Sequence, residues 1–106
     1  MNPPEELTLH GMVYPGQGEW VGHCLELDIV ATGKDAKEAI DQLVEAVETQ
    51  VWYARTHDNL EHLFCPAPTE AWKKFAQLVK GPHEVVVRSI DGGEDPKFRL
   101  QSLLAA

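Results

Sequence analysis

Residues Met12 to Tyr53 read MVYPGQGEWVGHCLELDIVATGKDAKEAIDQLVEAVETQVWY, a run that joins short alternating segments to one long amphipathic segment without a break. The amphipathic part opens at Asp35, whose carboxylate can accept from the free N–H groups of a first helical turn. Glu38, three residues on, completes a capping-box-like pair. Both acids also lie at the positive end of the helix dipole. Ala36, Ala39, Ile40, Leu43, Val47, Val51 and Ala54 then recur at spacings of three and four, while Lys37, Asp41, Gln42, Glu45 and Glu48 fill the other side. This pattern predicts a helix with one face on a sheet.

Toward the N-terminus, Leu7–Tyr14 (LTLHGMVY) places Leu7, Leu9, Gly11 and Val13 on one face, the period of a half-buried strand. Pro15-Gly16-Gln17-Gly18 supplies the fixed and the permissive φ of a tight reversal, so Glu19–Leu27 is expected to return antiparallel. In that segment Trp20, Gly22, Cys24 and Glu26 alternate with Val21, His23, Leu25 and Leu27, and neither face is cleanly apolar. A strand covered by a helix on one side and touched by a partner on the other has this composition. Ile29–Thr32 is a third short strand, ended by Gly33.

Toward the C-terminus the helical period fades, and Arg55–Pro68 reads as a polar connection in which Pro66 and Pro68 prevent a continuing helix. Thr69 is read as the cap of a second helix, TEAWKKFAQLVK, with Trp72, Phe75, Ala76 and Val79 on one stripe and Gly81-Pro82 as its stop. Glu84–Ile90 (EVVVRSI) is the last strand. The segment Asp91–Pro96 breaks it, and KFRLQSLLAA is an apolar tail suited to a short helix, a short strand or a contact with another subunit. The whole predicts one α+β domain over 1–106. Its core covers 6–54, an inserted loop and helix 55–82, the last strand 84–90 and the tail 91–106.

At 106 residues with 43% hydrophobic content, the chain suffices for one core and is too short for two ordinary domains. Nine Lys and Arg against 17 Asp and Glu give a net charge of −8, which repels a phosphate backbone and favours a basic protein partner over nucleic acid. Cys24 and Cys65 form no CxxC pair, and the N-terminus MNPPEELTLHG has neither the basic nor the apolar region of a signal peptide. A cytoplasmic protein with reduced thiols is expected. No apolar run reaches the roughly 20 residues that span a bilayer.

The densest group of reactive side chains is His23, Cys24, Glu26 and Asp28, but on a strand His23 and Cys24 point to opposite faces and cannot act together. His57 and His62, with Asp58, Glu61 and Cys65, are the only other candidates for a divalent metal. They miss the recognised zinc spacings and read as a solvated connection. Asp35 and Glu38 are taken up by capping, and Asp41 lies on the solvent side of the helix. His10 and His83 show no obvious partner. No catalytic residue, metal site or cofactor is therefore assigned.

The run YPGQGEWVGHCLELDIVATGKDAKEAIDQLVEAVE resembles the HicB family, with Trp20, Val21, Cys24, Glu26, Leu27, Gly33, Ala39 and Leu43 carrying the likeness. The resemblance implies a partial RNase H-like β-β-β-α-β fold, an antiparallel sheet packed by one main helix, here with a second helix inserted before the last strand. It also implies a non-enzymatic, antitoxin-type domain that neutralises a small basic RNA-cleaving toxin. Trp20, Glu26 and Asp28 are the candidate partner contacts. Two departures stand out. The family's frequent Cys-Pro-Glu-Leu-Pro run is here Cys24-Leu25-Glu26-Leu27-Asp28, and residues 91–106 hold only Lys97 and Arg99 against Asp91, Glu94 and Asp95, no reading element for DNA. The alternative reading is an orphan homo-oligomeric structural or ligand-binding module without a toxin, its open sheet edge paired across a two-fold axis. A metal-dependent enzyme is the least favoured.

Overall fold

A computed structural model describes residues 6–91 and 97–105, so the acidic break read at 91–96 lies, apart from Asp91, outside the described residues. Its elements are strands β1 (Glu6–Pro15), β2 (Trp20–Cys24) and β3 (Ile29–Gly33), helix α1 (Ala36–Thr56), a 3₁₀ turn (Leu60–His62), helix α2 (Thr69–Lys80), and strands β4 (His83–Ile90) and β5 (Lys97–Ala105). The α+β class and the β-β-β-α-β order follow the sequence pattern.

The five strands lie in the order β3-β2-β1-β5-β4. The sheet is mixed, whereas a wholly antiparallel one was expected: β1 runs parallel to β5, and the other neighbours are antiparallel. The cause is the tail. β5 returns antiparallel along β4 and inserts between β4 and β1, so the segment read as an apolar appendage is an interior strand with Phe98, Leu100, Ser102 and Leu103 buried.

The two-residue period of the strands divides the sheet into two faces. On one, Leu9, Val13, Cys24, Phe98 and Leu100 pack against Ala39, Ile40, Leu43, Val44, Val47 and Val51 of α1. On the other, Met12, Leu25 and Ala67 are covered by Ala71, Trp72, Phe75 and Leu78 of α2 and by Tyr14. No residue of α2 is buried, so it lies thinly over its face.

Both ends of α1 are chemically closed. Asp35 has extended backbone and accepts from the Glu38 N–H at 2.8 Å, while Glu38 reaches back to the Lys34 N–H at 3.2 Å. At the other end Asp58 is left-handed at φ 49°, the Asn59 N–H donates to the Ala54 carbonyl at 2.7 Å, and the Asp58 N–H to that of Arg55 at 3.1 Å. This is a Schellman closure with Asp where glycine is usual, and it carries the helix two residues past Ala54. α2 is capped differently from the sequence reading: Pro68 is the N-cap and Thr69 is already helical, with no side-chain capping bond. Gly33 lies under the first turn of α1, where an added Cβ would strike the Ala39 backbone.

Candidate functional site

The three candidate contacts from the sequence lie in different settings. Trp20 opens β2 on the α1 side and packs, half-buried, against the main core. Leu25–Asp28 is a turn rather than the end of β2, pinned by the Leu25 N–H to the His10 carbonyl at 2.8 Å and by two bonds from the 65–67 segment. In that turn both oxygens of Glu26 are taken by His10: the backbone N–H donates to Oε1 at 2.6 Å and Nδ1 to Oε2 at 2.5 Å. His10 thus has a partner that its sequence position did not reveal. Asp28 is left-handed at φ 51°, and its Oδ1 accepts from Nε2 of buried His23 at 2.7 Å. Its side chain, 38% exposed, borders a shallow cavity of about 340 Å³ with Leu27, Gln50, Tyr53, Asn59 and His62.

The reactive groups do not converge. Cys24 is buried, and desolvation pushes its thiol from 9.0 up to about 12, the reverse of what a nucleophile or metal ligand needs. His57 donates through Nδ1 to the Tyr53 carbonyl at 2.9 Å and stacks on the Tyr53 ring, while His62 faces Glu61. Among the described residues no three of His, Cys, Asp and Glu come together in a way that would hold a metal ion. Asp41 bridges two cations, Lys37 and Arg88, each at 2.8 Å, and these hydrogen bonds hold its carboxyl below the usual carboxylate range. No helix among the described residues is long and apolar enough to cross a membrane.

A different group does stand open to solvent. On the outer side of α1, Glu45, Glu48, Thr49 and Trp52 recur at helical spacing and, with Asp91, line a shallow depression of about 300 Å³. It adjoins a second of the same size bordered by Gln42, Ala46, Gln50 and Ile29. Trp52 is 63% exposed, and Tyr53 beside it 51%. The Asp91 N–H donates to Glu48 Oε2 at 2.7 Å, which ties the end of β4 to the helix and fixes one wall. Aromatic and charged groups that hold exposed area on a helix suit an interface, since the backbone that presents them is already ordered and costs nothing further on binding. Taken as a run, Val51-Trp52-Tyr53 reads only as added apolar content at the helix end. The missed signal was the spacing, which puts Trp52 on the polar stripe with Glu45 and Glu48 while Val51 faces the core.

No protein-family model matches the chain, and neither a curated protein nor a solved structure matches it.

Proposed function

We propose that this chain is a non-enzymatic, HicB-like antitoxin-type domain that binds a small basic protein and covers its RNA-contacting surface. The observation that carries this reading is the exposed Trp52 set among Glu45, Glu48 and Asp91 on the outer side of α1. An acidic rim steers a cationic partner, and an exposed indole anchors it once docked. The net charge of −8 acts in the same direction. Of the contacts suggested by sequence, Asp28 is the best placed to add to such an interface. Trp20 and Glu26 support the strand and the turn that present it.

The test is a search for a small basic reading frame beside this one, whose absence would count against the reading, followed by co-expression and pull-down with its product, with growth as the second readout. The unaltered chain is expected to retain the basic protein and restore growth. Trp52→Ala, and separately Glu45→Lys, are expected to lose both, with stability changed by no more than about 0.5 kcal/mol because these two side chains face solvent. A neighbour that stays toxic and unbound beside the unaltered chain, or binding untouched by either variant, would sink the proposal.

A further inference from the structure

The sheet order ends at β4, so its outer edge has no strand beside it among the described residues. Proteins usually blunt such edges with proline, lysine, a bulge or a very short strand. β4 is eight residues long, and its sequence HEVVVRSI contains neither proline nor lysine. Val85 and Val87, on the face away from α1, are 51% and 52% exposed. The other edge, β3, is only five residues long and lies against α1.

We propose that β4 pairs antiparallel with β4 of a second copy, about a two-fold axis passing through Val86, so that two five-stranded sheets become one. The register follows from the side chains. A two-fold axis perpendicular to the sheet keeps the α1 faces of both copies on one side, so directly opposed residues must belong to the same face. The axis must then pass through a residue and not between two. Centred on Val86, the pairing sets Glu84 opposite Arg88 of the second copy and Val85 opposite its Val87. Moving the centre to Val85 sets Glu84 opposite Val86, and moving it to Val87 sets Arg88 opposite Val86. Both shifts lose the charge pairs.

In the favoured register two Glu84–Arg88 pairs form on the α1 face, and four valines meet on the other. Arg88 is already held by Asp41 at 2.8 Å with its side chain 41% exposed. Its planar guanidinium has further N–H groups for a second carboxylate. Backbone bonds along the edge supply the attraction, and these cross-strand pairs select the register.

Sedimentation of the purified full chain at micromolar concentration tests the proposal, with no basic partner present, so that its outcome is separate from that of the partner-binding reading. Twice the chain mass is expected. Val85→Lys/Val87→Lys, which opposes like charges across the axis and replaces two side chains that are themselves half exposed, is expected to weaken association by at least about tenfold with an unchanged circular dichroism spectrum. In a Cys65→Ser background, Val86→Cys is expected to cross-link to itself under mild oxidation. Val85→Cys is expected to cross-link only when mixed with Val87→Cys. A single-chain mass for the unaltered protein overturns the proposal, as does a dimer that survives the double lysine variant. Self-linking of Val85→Cys as efficient as that of Val86→Cys overturns the register.

Discussion

Replacing Gly33 by alanine tests how closely β3 and the start of α1 are packed. An added Cβ would sit 2.7 Å from the Glu38 carbonyl carbon and 2.8 Å from the Glu38 Cβ, and would strike the backbone nitrogen of Ala39. These atoms belong to the first turn of α1, which the Asp35–Glu38 cap anchors on one side and buried Ala39 on the other, so relief requires the helix start to move. Overpacking of this kind costs about 1–3 kcal/mol, and a backbone obstacle points to the upper end. In a domain whose whole stability is on the order of 5–15 kcal/mol, that is a large share. Two other glycines calibrate the effect. A Cβ on Gly22 would meet the Ala39 carbonyl oxygen at 3.2 Å and the Leu43 side chain at 3.3 Å, whereas one on Gly81 would find nothing nearer than 3.6 Å. Urea unfolding followed by tryptophan fluorescence should rank Gly33→Ala as most destabilised and Gly22→Ala as intermediate. Gly81→Ala should be neutral or up to about 1 kcal/mol more stable through a less flexible unfolded chain. If Gly33→Ala and Gly81→Ala unfold within about 0.5 kcal/mol of each other, the tight approach is refuted.

Asp35→Ala removes the acceptor for the Glu38 N–H and is expected to cost about 1 kcal/mol in the same assay, with most of it recovered by Asp35→Ser; equal losses in both variants would remove capping as the cause. Cys24 gives a pH dependence. Its thiol stays protonated in the fold until about pH 12 but ionises above its ordinary 9.0 when the chain unfolds. Unfolding therefore releases a proton between these values, and stability falls with rising pH by at most about 1.4 kcal/mol per unit. Denaturation at pH 8 and pH 10 should show a steeper fall for the unaltered chain than for Cys24→Ala, and parallel falls would contradict the assignment. A thiol reagent at pH 8 should modify exposed Cys65 alone until denaturant is added.

Much of the fold was legible because its determinants are local. Asp35 and Glu38 mark a helix start by chemistry confined to four residues, the three-and-four spacing from Ala39 to Val51 selects the buried face of α1, and the turn residues at 15–18 dictate a hairpin. The tail was ambiguous for a reason equally physical. KFRLQSLLAA alternates Phe98, Leu100 and Ser102 with Arg99, Gln101 and Leu103, and this pattern fits a strand without naming its neighbours. The end of α1 was obscured because Asp58 adopts a left-handed conformation that glycine usually signals.

The candidate site divides the same way. That Cys24 and His23 cannot act together follows from strand geometry, and the acidity that favours a basic partner follows from composition. The links from His10 to Glu26 and from His23 to Asp28, and the meeting of Asp91 with Glu48 beside Trp52, depend on chain segments brought together by folding. The sequence by itself therefore determined the α+β class, the capped helix and the charge. Only the tertiary structure decided that β5 lies between β1 and β4, that the sheet is mixed, and that β4 rather than the C-terminal strand forms the open edge. Helix caps and hydrophobic periods act within a few residues, whereas strand order is set by which distant segments bury their faces together.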